Sequence, residues 1–546
     1  MTVLTLLNRK ENINLKKLTI LGCMSGLANA GLISIINISS GLVSDSSKDN
    51  NLLYYSALFL ITICIYGLTQ KELMIRATHS VEDAIDEIRI NLVEKILHCD
   101  LSTIDRIGRE RIFTTVSKEL QTISQSAQLF VIAGQASILI LFTSIYIAWL
   151  SFTSFLVIVG CIFFGASVHL YITKKGIDLN MAREFKREND VILRLNDLLD
   201  GFKEVKLSRV RAGELESEFR VASAAVKKAK KNTHTMLSKD FIVGILTFYG
   251  AIGALIFLVP LISHAYTEVV TKVATATIFL IGPISSIVGG ISLYTHANAA
   301  AQNVTDLEHD LNLSSGEIFS DKILEEFEMI ELKDLYYRYE ELDDDRTFEI
   351  GPINMSVKSG QTIFITGGNG SGKTTFIRLL TGLYYADKGG IYVDGKKLYK
   401  NKIDAYRNLF TSVFSDFHLF QQLYGTADDQ IYKADEWLAN LEMTHKVKVE
   451  DKKFSTVDLS GGQRKRLALL SCVLENRPIY IFDEWAADQD PYFRKKFYEE
   501  ILPSLKQKNE TVIAITHDDK YFHMADLRFE MSDGQLKQIL TSVKKG

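Results

Sequence analysis

Residues 120–173 contain no Asp, Glu, Lys or Arg. A helix rising about 1.5 Å per residue needs about 20 residues to cross a hydrocarbon layer about 30 Å thick. The stretch is long enough for two crossings and reads as a helical hairpin turning near 149–154. Hydrocarbon offers no partner to a bare N–H or C=O, so apolar runs of this length there must be helical. Further uncharged runs cover 18–43, 52–70, 241–262 and 273–293, the last interrupted by Gly282-Pro283. Together they give six spans. One such run alone would suit a buried core helix; six exclude a wholly water-soluble chain. Ala28-Asn29-Ala30 resembles a signal-cleavage site. The apolar run continues past it and exceeds the usual ~7–15 residues of a signal core, so the first span reads as retained.

The Lys and Arg residues set the orientation. The connection 71–119 holds eight and the connection 174–239 holds sixteen, whereas the connections on the opposite side hold only Lys48 and Lys272. That bias places the N-terminus, both long connections and the C-terminal half in the cytoplasm. Both long connections read as amphipathic helices that extend the spans. Within them, Lys227-Lys228-Ala229-Lys230-Lys231 suits either anionic headgroups or a solvated face. Asn29, Asn37 and His169 lie inside spans, where polar groups line an interior cavity or pair between helices.

Net charge is −4 with a pI of about 6.3, so no basic field points to nucleic acid. None of the five cysteines forms a C-x-x-C pair, which argues against a disulfide framework or a zinc site. Apolar continuity ends within 297–328. We therefore read a membrane domain over 1–310, a linker over 311–328 and a second domain over 329–546. The fold class is a multidomain membrane protein: an N-terminal six-helix all-α transmembrane domain, then a C-terminal α/β P-loop domain.

In that second domain, Gly367-Gly368-Asn369-Gly370-Ser371-Gly372-Lys373-Thr374-Thr375 fits G-x-x-x-x-G-K-[ST]. An apolar strand precedes it and a helix follows. The loop aims backbone N–H groups at one point, and the helix N-terminus adds partial positive charge. Lys373 is expected on the β- and γ-phosphates of ATP, and Thr374 on Mg²⁺. Leu459-Ser460-Gly461-Gly462-Gln463 opens a second helix, with Ser460 as its cap and a second anion site at its N-terminus. The strand 479–483 delivers Asp483 for Mg²⁺ and Glu484 as base toward an attacking water. The strand 512–516 delivers His517, which can bond the γ-phosphate.

Together these pieces resemble the ATP-binding domain of ABC transporters, and six spans before it resemble the exporter type. The resemblance implies an ATPase coupled to transmembrane transport. It implies a homodimer in which each ATP lies between one copy's P-loop and the other copy's signature, Leu459 to Gln463. It also implies Tyr339 stacked on adenine and a D-loop at Ala487-Asp488-Gln489-Asp490. The family's usual loop Gln is replaced by Ser415, followed by Asp416. Asp416, or Ser415 through water, is expected to take over the metal contact. The segments 415–420 and 483–491 look like a bacterial branch of exporters of cyclic peptides, lipopeptides and siderophore precursors. The implied function is export of such a peptide-like cargo across the bacterial cytoplasmic membrane. A lipid or multidrug exporter is the alternative, followed by an ATP-gated channel or regulatory subunit.

Overall fold

The computed structural model describes residues 3–7, 15–43, 49–173, 177–262, 267–312, 324–340 and 347–539. Among the positions singled out in the sequence, Lys48, Lys174 and Lys175 lie outside them. The chain divides into two compact units: Met1–Leu92 with Ile112–Leu307, and Val93–Arg111 with Glu308–Gly546.

The first unit is helical. Its principal helices are Leu15–Val43, Asp49–Leu97, Leu120–Leu150, Phe152–Thr173, Ile177–Asp200, Arg209–Phe257, Thr267–Ile278 and Ile281–Asn312. Among the described residues, five helices are long and apolar enough to cross a membrane, and Phe152–Gly165 is a shorter apolar helix. The uncharged stretch 120–173 breaks at Ser151, whose extended backbone (φ −160°) ends one helix before the next begins. The last span breaks at Phe279-Leu280, so Pro283 falls in the first turn of the following helix, where its missing N–H costs nothing. Ile33, Ile147, Ile158, Leu255, Val273 and Leu280 are buried in one apolar cluster. Trp149, Phe163 and Phe164 are largely exposed, as expected of side chains that face hydrocarbon.

Polar groups in the spans pair between helices. Asn37 is buried, and its Nδ2 donates to Tyr146 Oη at 3.2 Å and to the Lys272 carbonyl at 3.1 Å. Ser25 Oγ donates to Gln70 Oε1 at 3.0 Å, and Gln70 Nε2 donates to Gln135 Oε1 at 2.7 Å. Such bonds fix helix rotation, where lipid tails supply no hydrophobic preference between helices. Of the three polar residues read in the spans, Asn37 therefore pairs and Asn29 is half-buried. The His169 side chain lies outside the described residues.

The second unit is α/β. Its larger sheet has six strands in the order Gln535–Ile539, Leu527–Ser532, Thr362–Gly367, Thr511–Ile515, Ile479–Asp483, Phe410–Val413. All neighbours are parallel except the first pair. Strands 479–483 and 511–515 are buried at every position, which explains their unbroken apolar sequence. A four-stranded antiparallel sheet is built on Met329–Glu340 and Thr347–Lys358.

The segment Val93–Arg111 belongs to this unit, although it lies between two spans in sequence. Leu101, at the start of the short helix Leu101–Ile107, packs against the core that contains Phe376, Ile377 and Tyr384. Tyr384 Oη donates to Asp105 Oδ2 at 2.7 Å and accepts from Arg378 Nη1 at 2.9 Å. Lys95 pairs with Glu308, and Arg111 with Asp310 at 3.0 Å.

Candidate active site

The parallel register gathers the site. Ile515 pairs with both Ile365 and Asp483, so residues 367, 483 and 516–517 leave the sheet at one carboxyl-terminal edge. Ligands of open α/β sheets bind outside that edge. There the chain turns from strand Thr362–Gly367 into helix Lys373–Leu380. Gly367 has φ +146°, and a Cβ on it would lie 2.2 Å from the Met531 carbonyl oxygen, so no side chain fits.

Lys373 is 7% exposed, and its Nζ donates to the carbonyls of Gly367 and Gly368, both at 3.0 Å. Ser371 Oγ is buried and has no hydrogen-bond partner among the described residues. Thr374 Oγ1 and Ser415 Oγ both donate to Asp483 Oδ2, at 3.2 and 3.1 Å. Asp483 is 1% exposed. Burial pushes its carboxyl above the usual range, while the Ser415 and Thr374 hydroxyls pull it back. An orphaned hydroxyl inside the glycine loop fits phosphate oxygens. Two hydroxyls on a buried carboxylate form a hard oxygen set that fits Mg²⁺ shared with those phosphates.

Glu484 follows in the left-handed region (φ 53°), and its N–H donates to the Ile515 carbonyl at 3.2 Å. This turn carries its side chain off the strand and over the edge. Its Oε1 lies 3.3 Å from His517 Nε2 and 3.7 Å from Lys373 Nζ. A carboxylate beside an exposed histidine and a buried ammonium is placed to take a proton near the phosphate cradle.

Ser460 caps helix Gly461–Glu475 through a reciprocal box. Gln463 N donates to Ser460 Oγ at 3.5 Å, and Ser460 N donates to Gln463 Oε1 at 3.3 Å. This helix is bonded to the segment after Glu484. Gln489 Nε2 donates to the Gly462 carbonyl at 3.0 Å, and Arg466 Nη2 donates to Asp490 Oδ2 at 2.8 Å. Lys465 is buried; its Nζ donates to the Glu484 carbonyl at 3.0 Å and pairs with Asp488 at 2.8 Å. Nothing in the sequence marks Lys465, because a lysine one turn into an amphipathic helix gives no sign of its partner.

The structure thus brings together Gly367, Gly372, Lys373, Thr374, Asp483, Glu484 and His517. Asn369 and Gly370 are exposed on the outer turn of the loop, and Thr375 is half-buried behind it. Tyr339 pairs with Phe348 in its sheet, and its side chain lies outside the described residues. Asp416 and Ser415, both read for the metal contact, take different partners. The Asp416 carboxylate is largely exposed and pairs with Arg378 at 3.5 Å, while Ser415 holds Asp483. Ser415 and Asp416 sit in the turn after strand Phe410–Val413, where the hydroxyl reaches Asp483 and the acid reaches Arg378.

Residues 350–487 match the family model described as ABC transporter, and residues 17–258 match the ABC transporter transmembrane region. The chain is 30% identical over 529 residues to the ATP-binding protein SyrD of Pseudomonas syringae pv. syringae, covering 94% of this chain and 92% of that protein. It is 25% identical over 475 residues to the ATP-dependent lipid A-core flippase of Yersinia pestis bv. Antiqua, covering 82% and 78%. A solved bacterial Atm1-family ABC exporter with ATP bound shares the fold, with a TM-score of 0.75 at 16% identity and coverage of 96% and 95%. With a membrane region and an ATP-hydrolysing domain in one chain, the protein belongs to the ABC transporter family as an exporter-type half-transporter.

Proposed function

We propose that the protein is a homodimeric exporter that uses ATP to move a peptide-like small molecule out across the bacterial cytoplasmic membrane, with both termini in the cytoplasm. The observation that carries the ATP-driven part is the convergence of Lys373, Thr374, Asp483, Glu484 and His517 at one sheet edge. The peptide-like cargo rests on segments 415–420 and 483–491, which resemble the cyclic peptide and siderophore-precursor branch. The likeness to a lipid A-core flippase favours the second reading, a lipid exporter of the same architecture.

In this reading Thr374, Ser415 and Asp483 hold Mg²⁺, and the loop 367–375 with Lys373 holds the phosphates of ATP. The cation would neutralise charge on the phosphate oxygens. Glu484 takes a proton from water as that water's oxygen bonds to the γ-phosphorus. The bond to the bridging oxygen breaks and its electron pair leaves with ADP. His517 keeps the Glu484 carboxylate aimed. Ser460, Gly461, Gly462 and Gln463 close over the ATP of the second copy, and Tyr339 receives the adenine of the ATP on its own P-loop. The chain Asp105–Tyr384–Arg378–Asp416 runs from the segment between two spans to the residue beside Ser415.

Removing the Ser415 hydroxyl should raise the Mg²⁺ concentration for half-maximal ATPase about tenfold. Asp416→Ala should change it less than about twofold, because an exposed ion pair contributes little. A magnesium titration of both variants decides between them; a shift confined to Asp416→Ala would return the metal contact to that residue.

For transport, inside-out vesicles should accumulate a labelled cyclic acyl-peptide only with hydrolysable ATP. Uptake of lipid or dye in its place would support the second reading, and flux with a non-hydrolysable analogue would indicate a channel.

A further inference from the structure

The helix Arg209–Phe257 carries basic side chains that the ATPase site does not use. Lys227, Lys230, Lys231, His234 and Lys239 border an open groove of about 570 Å³. Among the described residues, Lys230 of this group pairs with Glu188 at 3.2 Å. Two residues past Lys239 the uncharged run begins. There Phe241, Ile245, Phe248 and Tyr249 border a cavity of about 140 Å³ together with Ile281 and Ile284 of helix Ile281–Asn312.

These two features share one face. At about 3.6 residues per turn, positions 227, 231, 234, 238, 241, 245 and 248 fall within a sector of about 100°. They form one stripe about 30 Å long, cationic at its aqueous end and aromatic within the span. Lysines at the edge of a span attract anions, and an aromatic cavity at membrane depth takes apolar groups.

We propose that this stripe binds the cargo and that the cargo is an anionic amphiphile. Its carboxylates lie in the groove on Lys227 and Lys231 of the stripe and on Lys239, which borders the groove about 120° round the helix from Lys227, and its acyl or aromatic group fills the cavity. The assignment rests on the export reading and narrows it. Charge complementarity disfavours a cationic cargo, whose head would meet the lysines that border the groove.

Gly244 gives a direct test. It borders the cavity, and a Cβ added to it meets nothing within 4 Å, so Gly244→Leu grows into the cavity without displacing backbone. The full chain is placed in phosphatidylcholine nanodiscs, with empty nanodiscs as the blank. Binding of 11-(dansylamino)undecanoate is read by fluorescence and competed with N-lauroyl-glutamate, lauroyl-glycinamide and lauroylcholine. The triple substitution of Lys227, Lys231 and Lys239 by Gln should raise Kd about tenfold, and replacement of the three by Arg should keep it. Gly244→Leu should weaken the probe similarly, with its melting temperature checked. Only N-lauroyl-glutamate should compete strongly.

Equal competition by all three analogues, or an unchanged Kd in the Gln variant, overturns the proposal. So does an effect that appears only when phosphatidylglycerol is added, which would make the stripe a lipid contact. Vesicle uptake separates the two levels. Transport of neutral or cationic acyl-peptides with no anionic preference overturns this inference alone, whereas no transport of any acyl-peptide removes the export reading beneath it.

Discussion

Replacing Glu484 by Gln is expected to lower ATP turnover by about 100-fold or more while nucleotide still binds. The amide keeps the size of the carboxylate and can still bond His517, which lies 3.3 Å away. It cannot accept a proton. Loss of a positioned general base is worth about 10²- to 10⁴-fold, or roughly 3–5 kcal/mol of barrier. The left-handed turn that aims the side chain is fixed by the backbone bond to Ile515 and by Lys465 on the Glu484 carbonyl, and neither depends on the acid. Phosphate release below about 1% of the parent rate, with fluorescent ATP-analogue affinity within about threefold, is the expected pair of results. Turnover above about a tenth of the parent would remove Glu484 from the role of base.

The same region shows which features sequence reveals. The glycine loop, the capped helix at Ser460 and the strand ends at Asp483 and His517 are contiguous motifs, each with a local physical signature. Their assembly follows from the parallel register, which buried apolar strands alone allow. The hairpin in 120–173 was also legible, because its length exceeds one crossing.

What sequence hid was long-range. Lys465 reaches across to the Glu484 carbonyl, and Tyr384 reaches back 279 positions to Asp105. Neither partner has a spacing rule. Asp416 and Ser415 are a different case. Acid chemistry suits a cation, but in the turn after strand Phe410–Val413 the acid meets Arg378. The shorter Ser415 hydroxyl reaches Asp483.

Lys373→Ala should weaken MgATP binding about 100-fold, equivalent to about 2.7 kcal/mol. The ammonium is nearly enclosed, and its donors rest on the carbonyls of Gly367 and Gly368 within the loop that would receive the phosphates. Charge-assisted hydrogen bonds in such an enclosed site are worth about 1.5–3 kcal/mol, so losing this group accounts for the whole effect. Arginine should not restore binding. A planar guanidinium is bulkier than the ammonium it would replace at a site 7% exposed, and it cannot turn its donors as an ammonium does. Thermal unfolding reads the result without catalysis. Ligand at about 100 times Kd stabilises the parent by about 2.7 kcal/mol, whereas the same concentration adds only about 0.4 kcal/mol after a 100-fold loss. Combining the change with Glu484→Gln removes hydrolysis from the measurement, so the melting shift reports binding alone. A shift as large as that of Glu484→Gln itself would show that the phosphates lie elsewhere than on Lys373.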